Sequence, residues 1–154
     1  MTNLGYEVLK ILSGTTLSTA ESVTGGGIGM TITSNEGASE IYKGGVIAYT
    51  NEMKEQLLGI SHELLETKGA VSMEVAEAMA ESARKLTGTD VALSVTGLAG
   101  PGGDAFGNPI GTVFIGYSDE KITVSKEFHF AGNRAAVRQQ TIIEALHEIL
   151  VHNC

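Results

Sequence analysis

Ser22 and, further along the chain, Tyr49 and Lys54 have the side chains of an acyl-transfer site. A serine hydroxyl is a weak nucleophile until a neighbour takes its proton. Lysine can do this when burial or a nearby cation lowers its pKa towards neutrality. A tyrosine hydroxyl can relay the proton or hold the lysine in place, and serine with lysine and tyrosine suits amide and acyl chemistry. On residue type alone a solvated lysine and an amphipathic tyrosine at a sheet edge is the simpler reading, because no fixed spacing joins the three.

Ser22 lies within Thr19-Ala20-Glu21-Ser22-Val23-Thr24-Gly25-Gly26-Gly27, after the β-prone run 15–18 and before an apolar, helix-compatible segment. This order predicts a strand, a tight turn and a helix start. Glycines allow φ > 0 and a close backbone approach to a ligand, while the free N–H groups of a helix start favour an anion. The stretch suits a phosphate cradle, or a nucleophile (Ser22 or Thr24) beside an oxyanion hole. It matches neither G-x-G-x-x-G nor G-x-x-x-x-G-K-[ST], so a plain glycine-rich turn is the alternative. Tyr49 and Lys54 fall at a strand end and the following helix start, where both can face the same cleft.

A second unusual stretch, Val95-Thr96-Gly97-Leu98-Ala99-Gly100-Pro101-Gly102-Gly103, follows an apolar strand and can form a concavity of backbone N–H groups. Arg134 and Arg138, four apart on the last helix, can present a guanidinium to a phosphate. Among carboxylates, Asp104 and Glu21 alone stand near glycine-rich turns, where either can orient a ligand or a lysine. Glu74, Glu77 and Glu81 read as a solvated helix face. His62, His129, His147 and His152 lack metal-ligand spacing, with the last two placed along an exposed part of the final helix.

The bulk composition narrows the class. A chain of 154 residues with 42% hydrophobic content predicts one domain over 1–154, able to bury a core without disulfides or a structural metal. The single cysteine, Cys154, permits no internal disulfide and fits a reducing cytoplasm. No apolar run is long enough to span a bilayer, and 1–12 carries Glu7 and Lys10 in a helical rather than a leader pattern. A net charge of −8 argues against a nucleic-acid surface and leaves room for a small anionic ligand. The expectation is a soluble, cytoplasmic protein with no membrane or nucleic-acid partner, and apolar helix faces make a homo-oligomer the expected state.

Along the chain, periodicity predicts a helix from Leu4 with Asn3 as its cap, the strand before Ser22, and a helix over 26–33. A buried strand over 44–50 follows, then a short helix capped by Thr50 or Asn51 and stopped by Gly59. Further helices are expected after Ser61 and after Ser72, the latter running to Gly88. A core strand is expected over 90–96, a hairpin from 111–117 and 122–130, and a last helix over 134–151. Alternation of this kind predicts an α/β layered sandwich, a mixed sheet with helices on both faces. The loops after Ser18, Tyr49 and Thr96 should then meet at one sheet edge.

Several blocks in order give these residues a family likeness. Thr19-Ala20-Glu21-Ser22-x-Thr24-Gly25-Gly26, Gly44-Gly45-Val46-x-x-Tyr49-x-Asn51-x-x-Lys54-x-x-Leu57-Leu58-Gly59, Gly69-Ala70-Val71-Ser72, the Val95–Gly103 stretch and Gly111-Thr112-Val113 closely resemble the CinA C-terminal domain family. The resemblance implies an α/β sandwich and nicotinamide-nucleotide amidase activity, converting nicotinamide mononucleotide to nicotinate mononucleotide and ammonia in pyridine-nucleotide salvage. It implies Ser22 as nucleophile, Lys54 as its general base and Tyr49 as the orienting or relaying partner, without metal or organic cofactor. N–H groups near Gly25 and Gly26 would hold the oxyanion. Thr24, Gly25, Gly26, Gly45, Asn51, Thr96, Ala99, Gly100, Gly102 and Gly103 are the implied substrate-binding positions, with Arg138 the candidate for the phosphate. Val23 stands where many members carry cysteine, and Asn133 where an acidic residue is common. A catalytically silent nucleotide-binding or regulatory module of the same fold is the competing reading, as is an interaction domain of a DNA-uptake system.

Overall fold

Residues 3–154, those described by the computed structural model, run α1 (Leu4–Ile11), β1 (Leu17–Glu21), α2 (Gly27–Thr33), a short 3-10 turn (Ala38–Glu40) and β2 (Tyr42–Ile47). Then come α3 (Asn51–Leu58), α4 (His62–Lys68), α5 (Met73–Thr87), β3 (Val91–Gly97), β4 (Thr112–Ser118), β5 (Thr123–His129) and α6 (Arg134–Asn153). Short polar residues fix most helix starts. Asn3, Thr50, Ser61, Ser72 and Asn133 each precede a helix, and their side-chain oxygens accept the N–H three residues on.

The five strands lie in the order β2-β1-β3-β4-β5. β1 is parallel to both β2 and β3, whereas β4 pairs antiparallel with β3 and β5. At its carboxyl end Glu21 pairs with Ile47 on one side and Val95 on the other. The chain therefore leaves three neighbouring strands at one edge, bringing Ser22, the 48–51 loop and the 97–103 loop together.

Both faces of the sheet are covered, giving the predicted α/β sandwich. Val91, Leu93 and Val95 join Val8, Ile28 and Val137 in one apolar core beneath α1, α2 and α6. Ala20 and Ala92 face the other core, with Leu65, Val75 and Met79 from α4 and α5. Small residues let α5 lie very close to the sheet. Ser94 Oγ donates to the Ala76 carbonyl at 2.5 Å, and a Cβ on Gly116 would collide with that same carbonyl. The approach fixes residues 69–72, which precede α5 and border the loop edge.

Several boundaries differ from the sequence-based expectation for identifiable reasons. β1 runs past Ser18 to Glu21, so the turn begins at Ser22 itself. Gly26, with φ 102°, caps α2 from outside, and the helix starts one residue later than predicted. β2 occupies Tyr42–Ile47 instead of 44–50, because Thr50 already holds the extended conformation of a helix cap. His152 is not on an exposed face: its ring stacks on Tyr117, with centroids 4.3 Å apart. Glu77 is likewise engaged, accepting a hydrogen bond from Ser125 Oγ at 2.7 Å. Among the described residues no helix is long and apolar enough to cross a membrane.

Candidate active site

At the edge where β1, β2 and β3 end, a cavity of about 450 Å³ opens, a size suited to a small-molecule ligand. Ser22 and Lys54 stand in its wall, 6% and 2% exposed. The residue after β1 has its N–H held by the Val95 carbonyl at 3.1 Å, which anchors Ser22 to the neighbouring strand. Lys54 arrives from the first turn of α3, and its Nζ donates to Ser22 Oγ at 3.0 Å. The Tyr49 carbonyl accepts from Lys54 Nζ at 3.2 Å and from Ser22 Oγ at 3.4 Å.

Burial pushes the Lys54 amine down from its ordinary value to about 8. Among the described residues no carboxylate lies within ion-pair reach of it to restore the charge. At pH 7.5 a group with that pKa is neutral about a quarter of the time, against about one part in a thousand at the ordinary value. The amine is thereby available as a base within hydrogen-bond distance of the serine hydroxyl.

Tyr49 departs from the expected arrangement. Its backbone carbonyl, not its phenol, touches the serine and lysine. The phenol is turned outward, 55% of the residue being exposed, and accepts a hydrogen bond from Arg134 Nη2 at 2.6 Å. Arg134 Nη1 donates to the Gly100 carbonyl at 2.9 Å, so this side chain bridges the 48–51 loop and the glycine-rich loop across the cavity mouth.

The other predicted binding residues divide into two groups. Asn51, Thr96, Ala99, Gly100 and Gly102 line the cavity. Thr96 is braced there by its Oγ1, which donates to the Ala70 carbonyl at 2.8 Å. Thr24, Gly25, Gly26, Gly45, Gly103 and Arg138 are not among the residues lining it. Thr24 Oγ1 donates to Glu21 at 2.6 Å, and the Gly25 N–H is spent on the Ser22 carbonyl at 3.1 Å. Gly26 and Gly45 line a separate hollow of about 270 Å³ between α2 and β2, where a Cβ on Gly45 would collide with Thr19 Oγ1. An added Cβ on Gly103 would meet only the Asn108 carbonyl, at 4.0 Å.

The helix start expected to attract an anion is already occupied by the protein itself. Glu21, 2% exposed, accepts the N–H groups of Ile28 and Gly29 at 2.9 Å each, together with Thr24 Oγ1. Its carboxylate sits where the helix dipole favours a negative charge, so it folds back on its own turn instead of orienting a ligand or Lys54. Arg138 completes this clamp from α6: Nε donates to the Val23 carbonyl at 3.1 Å and Nη2 to the Thr24 carbonyl at 3.2 Å. The arginine in the cavity wall is Arg134. Spacing alone puts both arginines on one helix face, and their partners separate them: Arg134 meets Gly100 and Tyr49, whereas Arg138 meets Val23 and Thr24.

Residues 3–152 match the family described as CinA C-terminal domain. The chain belongs to this family. A CinA-like protein of Parasynechococcus marenigrum is 47% identical over 148 residues, 94% of this chain and 35% of that protein. A CinA-like protein of Geobacter sulfurreducens is 47% identical over 86% of this chain and 32% of its own length. The chain thus spans about a third of the length of these curated relatives. It also resembles the competence or damage-inducible protein from Enterobacter asburiae, with TM-score 0.95 and 30% identity over 98% of this chain and 96% of that one. Competence/damage inducible protein CihA from Agrobacterium tumefaciens superposes with TM-score 0.92 and 32% identity over 100% and 98% of the two chains.

Cavity residues to which the sequence reading gave no site role include Thr50, Ala70, Val71 and Phe106. Phe106 left one legible signal: it is the sole aromatic residue between Gly97 and Gly111, in a loop otherwise rich in glycine.

Proposed function

We propose that this domain hydrolyses the carboxamide of nicotinamide mononucleotide, releasing ammonia and nicotinate mononucleotide. The observation that carries the reading is the buried contact of Lys54 Nζ with Ser22 Oγ at 3.0 Å, with the amine pushed down to about 8. Neutral Lys54 takes the Ser22 proton as Oγ attacks the carboxamide carbon. In this reading the oxyanion accepts from the N–H of Val23, the residue after Ser22 and part of the cavity wall. The tetrahedral species expels ammonia as Lys54 returns the proton to nitrogen, leaving an ester on Ser22. Lys54 then takes a proton from water, which attacks the ester and regenerates the hydroxyl.

Other cavity residues supply binding. The Tyr49 carbonyl holds the lysine in line with the serine through both protonation states. Arg134 is the cation at the mouth, and its fork suits the phosphate of the substrate. In this reading the phosphate displaces the contacts to Tyr49 and Gly100. The test is ammonia release from nicotinamide mononucleotide together with a one-mass-unit rise in the nucleotide. The expected result is turnover by the wild type and a loss of roughly 10⁴-fold or more in Ser22→Ala. Binding without turnover by both proteins would leave a nucleotide-binding module as the function.

A further inference from the structure

We propose that Phe106 is the stacking platform for the heteroaromatic ring of the substrate, and so determines specificity for ring-bearing over simple amides. The inference rests on the amidase reading for the identity of the ring. Phe106 borders the same cavity as Ser22, and 49% of the residue is exposed. It is not a loose surface side chain. A Cβ on Gly69 would stand 2.6 to 3.1 Å from three of its ring atoms, so the absence of a side chain at Gly69 lets the ring settle directly on the backbone.

The loop that carries Phe106 is braced from within. Asp104 Oδ1 accepts the N–H groups of Phe106 and Asn108 at 3.1 Å each. Asn108 Nδ2 donates to Asp104 Oδ2 at 2.7 Å and to the Val71 carbonyl at 3.2 Å, tying the loop to the segment before α5. A ring fixed in this way loses little freedom when a ligand stacks on it. The chemistry of the ligand agrees with the setting. The reacting carboxamide is attached directly to a pyridine ring, which must therefore enter the cavity beside Ser22, and N-ribosylation makes that ring cationic. A cationic ring is drawn to an aromatic face and to the carboxylate of Asp104, which also lines the cavity. Partial burial raises the Asp104 carboxyl, but hydrogen bonds from the Asn108 side chain and the backbone N–H groups outweigh it and hold the group below its ordinary value.

The chain contains no tryptophan, so Phe106→Trp places a unique fluorophore at the proposed platform. Nicotinamide mononucleotide should quench this fluorescence, whereas ribose 5-phosphate, which shares the sugar and phosphate without the ring, should not. In titrations by calorimetry the mononucleotide should bind the wild type tighter than ribose 5-phosphate by roughly tenfold, and Phe106→Ala or Phe106→Leu should erase that advantage. In turnover, Phe106→Ala should raise KM by about the same factor with kcat little changed, and Phe106→Tyr should restore it. Equal quenching by both ligands, an undiminished ring advantage in Phe106→Ala, or full function in Phe106→Leu would overturn the proposal. Ring-dependent binding by a wild type that releases no ammonia would count against the amidase reading alone and uphold the platform.

Discussion

The two glycine-rich stretches, 22–29 and 97–103, look alike in sequence and do opposite things. The first closes on itself. Its helix N-terminus is filled by Glu21, its carbonyls are held by Arg138, and Ser22 is the one side chain of its turn that both faces the cavity and meets Lys54. The second stays open, giving its backbone and Gly100, Gly102 and Ala99 to the cavity wall. The difference teaches that a glycine turn before a helix is an anion site only when the protein has not supplied the anion. In this fold the buried carboxylate spends the dipole on fixing the turn that carries Ser22, and the cation in the cavity wall beside Lys54 is Arg134.

The comparison is broken most severely at Lys54. Lys54→Met should lower turnover on nicotinamide mononucleotide by roughly 10⁴-fold, because the serine loses its proton acceptor. The same variant should be more stable, with a thermal midpoint a few degrees higher at pH 7, since a buried amine without an acidic partner is replaced by an apolar chain of similar length. Burial places the folded-state pKa at about 8, below the ordinary 10.5. Between those values the unfolded chain binds the extra proton, so wild-type stability should rise with pH across that window, and Lys54→Met should lose this rise.

Next in size is Glu21. Glu21→Gln leaves a side chain of the same shape but gives the two N–H groups and Thr24 a weaker acceptor and adds donors that lack partners. A stability loss of about 1–3 kcal/mol by denaturant titration is expected, with kcat reduced and KM little altered. Exchanging the arginines should separate the stretches further. Arg138→Met should reduce kcat by loosening the turn, while Arg134→Met should raise KM for the nucleotide roughly tenfold and leave a neutral, phosphate-free amide unaffected. The smallest contrast concerns the glycines. Gly26→Ala, at φ 102° and with Ile47 Cδ1 at 3.0 Å from the new Cβ, should cost about 1–2 kcal/mol of stability. Gly102→Ala meets nothing within 4 Å and should leave stability unchanged, with any effect confined to KM.

The layer architecture was readable because each element carries its own punctuation. Helix caps at Thr50, Ser61 and Ser72, and stops at Gly59 and Gly88, act within three or four residues and need no tertiary knowledge. The parallel arrangement followed from alternation, which is why Ser22, Tyr49, Lys54 and Thr96 could be assigned to one edge. What escaped the sequence depends on distance. Glu21 reaches helix N–H groups seven and eight residues away, and its glycines look the same whether that end is free or filled. The choice between Arg134 and Arg138 turns on distant partners, Gly100 and Tyr49 for the first and Val23 and Thr24 for the second, and the outward phenol of Tyr49 is held by Arg134, 85 residues further along the chain. Phe106 is a surface aromatic until Gly69 is seen beneath it.

The central claim is that neutral Lys54 activates Ser22, and the pH dependence of kcat/KM on nicotinamide mononucleotide, measured for the wild type beside Lys54→Arg, tests it most directly. The account predicts a rate that climbs tenfold per pH unit on the acid side and levels above an apparent pKa near 8, with Lys54→Arg inactive throughout because its side chain stays charged. A rate that is flat between pH 6 and 9 in this comparison, or an active Lys54→Arg, would contradict it.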